Sequence, residues 1–79
     1  MATFNEMVDV EISNARAKHP TPINSSHEAY SVILEELTEF WDEVRKQIED
    51  RDPERMGDEL VQVAAMARRA FEDLGFFKL

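Results

Sequence analysis

The sequence predicts an all-α protein of three helices, and three observations support that prediction. Apolar residues recur at the i, i+3, i+4 spacing of one helical face through most of the chain. Gly and Pro, which number only 2 and 3, fall where these periodic segments begin or end. No segment has the pattern of a strand. Since 79 residues suffice for one small domain, we expect a single domain over residues 1–79.

The first helix is predicted over about residues 4–18. Thr3 and Glu6 have the spacing of a capping box, a pair of reciprocal hydrogen bonds with which many helices begin. Pro20 and Pro22 end the helix and form a short extended linker, because proline lacks a backbone donor and restricts the preceding residue. The apolar face between these signals comprises Phe4, Met7, Val8, Ile12 and Ala15.

The second helix is predicted over about residues 26–50, after a second capping-box pattern at Ser25 and Glu28. A continuous apolar stripe at helical spacing is typical of a helix that packs one face on a core. The stripe comprises Ala29, Val32, Ile33, Leu37, Phe40, Trp41, Val44 and Ile48.

The third helix is predicted over about residues 53–74. Asp52 is a favourable N-cap, Pro53 is favourable at the first helical position, and Gly75 is a natural residue just after a helix end. Its apolar stripe comprises Met56, Leu60, Val63, Ala64, Ala67, Ala70, Phe71 and Leu74.

The short connection predicts that the second and third helices pack antiparallel. Three helices form a thin protomer, so we expect two copies to pair these helices into a four-helix-bundle core, with the first helix outside. The chain has no Cys, so disulfides are not available to a small core, and an oligomer, a metal or both are expected. The apolar Phe76 and Phe77 are expected to dock on the body or on a second subunit.

The charge balance excludes some classes of partner. Asp and Glu number 17 against 9 Lys and Arg, a net charge of −8, which argues against nucleic-acid and anionic-membrane binding. A phosphate ligand held through a divalent cation stays compatible with that charge. We expect a cytoplasmic protein, because the chain has no Cys, no signal-peptide pattern and no apolar run long enough to span a membrane.

Acidic and amide side chains border the apolar stripes of the second and third helices. Helical spacing places Glu36, Glu39 and Glu43 along the edge of one stripe. It places Glu59 and Gln62 along the edge of the other, so antiparallel packing is expected to bring all five together.

Clustered carboxylates repel one another and raise each other's pKa, so a cluster at a core edge favours a bound cation. Oxygen donors suit Mg²⁺ or Mn²⁺, which assist the attack of water on phosphoryl groups. The alternative is a solvated helix edge, since 17 acids in 79 residues make some i, i+3 pairs inevitable. A di-iron bundle is disfavoured because neither His follows a Glu at the Glu-x-x-His spacing.

These residues resemble the motifs of the MazG-like all-α nucleoside triphosphate pyrophosphohydrolases. Glu35-Glu36-Leu37-Thr38-Glu39 matches the family's Glu-Glu-x-x-Glu element, and Glu59-Leu60-Val61-Gln62 matches its Glu-x-x-Asp element with Gln62 in place of Asp. The resemblance covers about residues 10–74. It implies a homodimer or homotetramer that uses Mg²⁺ to cleave a (d)NTP into a (d)NMP and pyrophosphate.

The resemblance also implies roles for individual residues. Glu36, Glu39 and Glu59 are expected to be metal ligands, with Gln62 at the fourth ligand position. Glu43 is a candidate for the missing carboxylate, and Glu36, Glu39 and Glu43 are the candidate catalytic residues, one of them accepting a proton from water. An alternative register uses Asp58 as the motif acid with Arg55 in place of Glu, but helical spacing puts Asp58 on the solvent face.

Other side chains are candidates for contacts with the substrate. Lys18, His19 and His27 are expected near the phosphates if the linker folds over the site, although such residues are commonly solvated or cap a helix. Phe40 is the candidate floor of the pocket.

For the remaining side chains we expect structural roles. Trp41 and Tyr30 have the chemistry to stack on a base, but we expect Trp41 in the core or at a subunit interface. Arg68 and Arg69 are interpreted as a solvated face.

Two further functions stay open at this stage. The first is a non-catalytic MazG-like helical oligomer that acts as a nucleotide-sensing or protein-interaction module, which the amide at Gln62 favours because an amide has no charge and is no base. The second is a purely structural bundle. The preferred base and sugar are also open.

Overall fold

A computed structural model describes residues 1–76 of the chain. Helix α1 spans Phe4–Lys18, α2 spans Ser26–Val44 and α3 spans Pro53–Leu74, with a short 3₁₀ turn at Ile48–Asp50 between α2 and α3. No strand occurs in this part of the chain, which confirms the all-α prediction. The predicted docking of Phe77 concerns a residue outside the described ones.

Local hydrogen bonds explain why each helix begins where it does. Thr3 Oγ1 accepts from the Glu6 N–H at 3.1 Å and Glu6 Oε1 accepts from the Thr3 N–H at 2.9 Å, which completes the capping box. Ser25 Oγ accepts from the Glu28 N–H at 3.0 Å, and the Asp52 carboxylate caps α3. The predicted helix starts are thus confirmed.

The end of α2 differs from the prediction, since the helix stops at Val44 and not near residue 50. The carboxylate of Glu43 turns into the protein and accepts hydrogen bonds from the Asp52 N–H at 2.8 Å and from Lys46 Nζ at 2.9 Å. These bonds pull the connecting segment back toward α2. Ile48, which extended the predicted stripe, is 78% exposed, so a longer helix gains no apolar burial from it.

Helix α3 is the central element, because it packs against both α1 and α2. No close backbone contact joins α1 to α2 in the described residues. The main cluster joins α1 to α3 and contains Val8, Ile12, Val61, Ala65 and Met66, with Val32 and Ile33 of α2 packed against it. A second cluster, of Ile23, Ala29 and Ala70, fastens the linker between α1 and α2. The first helix is therefore part of the protomer's core and not only its outer layer.

The predicted stripes are only partly the buried faces. On α2 the inward line contains Ala29, Glu36 and Glu43, whereas Leu37 and Trp41, both assigned to the stripe, are 48% and 57% exposed. On α3 the buried residues are Val61, Ala65, Met66, Arg69 and Ala70. The stripe residues Leu60, Ala67 and Phe71 are instead exposed. The apolar surfaces of α2 and α3 are therefore wider than the area that the neighbouring helices of the protomer cover.

None of the helices within residues 1–76 combines enough length with enough apolar character to cross a bilayer.

We expect Glu43→Gln to lower the melting temperature by several degrees, because an amide weakens charge-assisted hydrogen bonds to Lys46 and Asp52 from a buried position. Thermal unfolding followed by circular dichroism measures this shift. Glu49→Gln is the matched control, since Glu49 is exposed in the 3₁₀ turn. Equal melting temperatures for both variants would contradict a structural role for Glu43.

Candidate metal centre

Three carboxylates from two helices converge at one point beside the core. Glu36 and Glu39 lie one turn apart on α2, and Glu59 lies on the facing part of α3. One carboxylate oxygen of each lies within 4.8 Å of the others. We call Glu36, Glu39 and Glu59 the acidic cluster.

The surroundings of Glu36 and Glu59 disfavour negative charge on these two carboxyl groups. Burial raises the pKa of Glu36 to about 7, and the carboxylates of Glu39, Glu59 and Glu35 reinforce that rise. Burial and the adjoining Glu39 also raise the pKa of Glu59, with the Arg55 charge acting in the opposite direction. The folded protein therefore holds protons here that ordinary carboxyl groups release.

One oxygen of the acidic cluster lacks a partner within residues 1–76. Glu59 Oε2 is buried and makes no hydrogen bond to any of these residues. A buried carboxylate oxygen without a partner is costly, and a cation removes that cost directly. The three donors are all carboxylate oxygens, the set that hard divalent cations such as Mg²⁺ prefer. The residues present fit a divalent cation.

A cavity of about 720 Å³ adjoins the acidic cluster. Its lining comes from α1, the linker, α2 and α3, including Ala15, Ile23, Val32 and Met66. Because no close backbone contact joins α1 to α2 in the described residues, the cavity occupies the groove between them and α3 forms its floor. Glu36 belongs to both the acidic cluster and the cavity lining.

Several predicted site residues line the cavity. Gln62 does so, in the same lining as Glu36. Lys18 and His19 also line the cavity, so the end of α1 brings cationic and imidazole groups to the same space as the acidic residues. This arrangement suits a ligand that carries both a metal ion and anionic groups.

Other predicted site residues lie elsewhere. His27 is exposed in the first turn of α2, Phe40 is half-buried, and neither lines the cavity. Asp58 is exposed and is not part of the acidic cluster, unlike Glu59.

The structure does not bring Glu43 to the acidic cluster. Its carboxylate accepts hydrogen bonds from the Lys46 side chain and from the Asp52 N–H. These hydrogen bonds hold the pKa of Glu43 below its usual value. Glu43 thus has bonding partners at the turn between α2 and α3.

The interpretation of Arg69 as a solvated residue is wrong. Arg69 is 4% exposed and lines the cavity, and its guanidinium donates to the carbonyl oxygens of His19 and Thr21. Arg68, its neighbour, is exposed as predicted. The i, i+4 spacing of Arg69 and Asp73 was the sequence signal that could have indicated a role for Arg69 inside the protein, because these two residues form a buried ion pair.

Comparison with known proteins adds no relative. No protein-family model matches the chain, and no curated protein or solved structure matches it either.

We expect Glu36→Gln to stabilise the metal-free protein at pH 8 but not at pH 5. The pKa of Glu36 is raised from 4.5 to about 7, so the folded state binds more protons than the unfolded state between these values. Wild-type stability therefore falls as the pH rises through that window, and the amide removes this contribution. Melting temperatures in a chelator at both pH values measure the effect.

Glu49→Gln is again the matched control, because it removes one exposed carboxylate remote from these charges along the chain. An equal gain for Glu36→Gln at pH 5 and pH 8 would refute repulsion at the acidic cluster.

Proposed function

We propose that this protein is a Mg²⁺-dependent nucleoside triphosphate pyrophosphohydrolase, which converts a (d)NTP and water to a (d)NMP and pyrophosphate. The observation that carries the proposal is the convergence of Glu36, Glu39 and Glu59, with a buried unpartnered oxygen, beside a cavity lined by Lys18. The resemblance of the two acidic motifs to those of MazG-like enzymes supplies the reaction class.

In this proposal Glu36, Glu39 and Glu59 hold Mg²⁺, and the amide oxygen of Gln62 is a neutral fourth donor. When bound, Mg²⁺ supplies charge neutralisation for the triphosphate and polarisation of its phosphoryl oxygens. Mn²⁺ has similar ligand preferences and is the expected substitute.

The chain's own residues bind the substrate and move its protons. Lys18 and His19 offer donors to phosphate oxygens at the end of α1. Water adds to a phosphoryl group, and the bond between the α- and β-phosphoryl groups breaks to release pyrophosphate. Glu36 is our candidate acceptor for the proton of that water, because it belongs to both the acidic cluster and the cavity lining.

A nucleotide panel tests the reaction directly. Purified protein is incubated with the common NTPs and dNTPs, with Mg²⁺ or with a chelator, and nucleotide products and pyrophosphate are resolved. We expect monophosphate and pyrophosphate with Mg²⁺ only. Release of diphosphate and orthophosphate would overturn the reaction class. Mg²⁺-dependent nucleotide binding without any product would favour the alternative function, a non-catalytic nucleotide-sensing module. The feature of the sequence that favours this alternative is the neutral side chain of Gln62.

Adjacent acids on α3 provide a matched pair of variants. We expect Glu59→Gln to lower kcat/KM by at least about 100-fold, because it removes a charged metal ligand that has one buried oxygen. Asp58→Asn removes the same charge from an exposed neighbour and is expected to stay within about 2-fold of wild type, in line with the small effects of surface changes. The reverse pattern would support the alternative register that uses Asp58.

We further propose that the protein forms a homodimer or homotetramer through the outward face of α2. Tyr30, Leu34, Leu37 and Trp41 recur at helical spacing on this face and are 68%, 43%, 48% and 57% exposed. Contiguous exposed apolar surface of this kind is typical of protein interfaces, and Trp and Tyr are common in their energetic centres.

We expect Trp41→Glu to weaken self-association by at least about 10-fold, since it places a charge in a desolvated interface. Sedimentation equilibrium measures the association constant. Ile48→Glu is the matched control, because Ile48 is 78% exposed but lies in the 3₁₀ turn outside this face. A wild-type protein that stays monomeric at high concentration would refute the oligomer.

A further inference from the structure

The linker between α1 and α2 forms one wall of the cavity. His19, Thr21 and Ile23 line it, while Pro20 and Pro22 alternate with them along the chain. Proline has no N–H group, so this segment has few donors with which to form regular structure of its own. The position of the linker therefore depends on its contacts with the helices.

Arg69 supplies two of these contacts from the floor of the cavity. Its Nη2 donates to the carbonyl oxygens of His19 and, at 3.0 Å, of Thr21. The planar guanidinium presents several donors in a fixed geometry, which allows one side chain to hold two backbone acceptors. Arg69 is only 4% exposed, so its side chain is held in place from below the linker.

Asp73 holds the next part of the linker from the same helix. Its Oδ2 accepts from the Ile23 N–H at 3.0 Å and from Arg69 Nε at 3.4 Å, and its Oδ1 accepts from Arg16 Nη1 at 2.9 Å. Burial acts to raise the pKa of Asp73, but the bonds from Ile23 and Arg16 outweigh it and hold the pKa below its usual value. One carboxylate thus ties α1, the linker and α3 together.

The hydrophobic side chain of Ile23 completes the attachment. It is 5% exposed and packs with Ala29 and Ala70. The wall is therefore held at His19, Thr21 and Ile23, the same residues that face the cavity.

We propose that Arg69 and Asp73 are positioning residues that hold the linker wall at residues 19–23 in a preformed shape for the triphosphate ligand. The ligand's identity rests on the proposed function. Because a buried ion pair contributes little net stability compared with an apolar replacement, placement of the linker is the stronger reason for this pair. The wall also sets where Lys18 and His19, at the end of α1, stand relative to the acidic cluster.

Arg69→Lys tests the proposal, because lysine keeps the charge but loses the planar array of donors that holds two carbonyls. Arg68→Lys is the matched control, since Arg68 is exposed and pairs with Asp9 and Glu72, away from the linker. We expect the KM for the nucleotide to rise by about 10-fold or more in Arg69→Lys, with kcat and Mg²⁺ affinity within about 2-fold of wild type. The control is expected to match wild type in all three.

Amide hydrogen exchange provides a readout that does not depend on turnover. Exchange of the Ile23 N–H is expected to accelerate in Arg69→Lys and in Asp73→Asn, but not in Arg68→Lys. Asp73→Asn replaces the charged acceptor of the Ile23 N–H by a neutral, weaker one, and it serves as the second variant if Arg69→Lys does not fold.

The outcomes separate this proposal from the proposed function. Unchanged exchange at Ile23 in both variants would overturn the linker proposal even if the enzyme is active. Faster exchange with an unchanged KM would also overturn it, because the wall would then not shape the ligand site. If wild type neither binds nor cleaves any nucleotide, the proposed function fails, and the linker's attachment is then decided by exchange alone.

Discussion

The packing of both α1 and α2 on α3 is the constraint on which the rest of the molecule depends. Ala65 is completely buried at the middle of this contact, and small side chains there let neighbouring helices approach closely. Since α1 and α2 have no close backbone contact in the described residues, a groove stays between them. The cavity, the acidic cluster at its edge and the linker that closes one side all follow from that groove.

The inward face of α2 contains two glutamates two turns apart, and their surroundings give them opposite properties. Glu43 receives hydrogen bonds from Lys46 and Asp52, so its negative charge is stabilised and its pKa lies below the usual value. Glu36 is partly buried and faces other carboxylates, so its negative charge is destabilised and its pKa is about 7. One glutamate has the partners of a structural residue, whereas the other has the environment expected of a cation site.

Charged side chains beside the core therefore have two different roles in this small protein. Arg69 and Asp73 form a satisfied network that attaches the linker to α3. The acidic cluster contains a buried oxygen of Glu59 that has no hydrogen-bond partner in the part of the chain that the structure describes. A chain with a net charge of −8 gains from any cation bound at that point, because the cation relieves local repulsion and restores bonding to the oxygen.

The sequence by itself determined the local features of the fold. Helix starts at Thr3, Ser25 and Asp52 depend on side chains that bond the backbone within three residues, so the pattern of residues is sufficient to predict them. Helical spacing likewise placed Glu36 and Glu39 on one side of α2 and Glu59 at the matching edge of α3.

Only the tertiary structure decided which part of each apolar surface is buried. Helical periodicity gives the direction of a wide apolar stripe, but the neighbours that cover it lie far away in sequence, which is why Trp41 is exposed and Arg69 is buried. The early end of α2 also depends on a residue outside that helix. The Glu43 carboxylate turns inward to accept a hydrogen bond from the backbone N–H of Asp52, which lies after the segment that connects α2 to α3. Local chemistry determined where helices begin, and long-range packing determined which charges are paired and which are not.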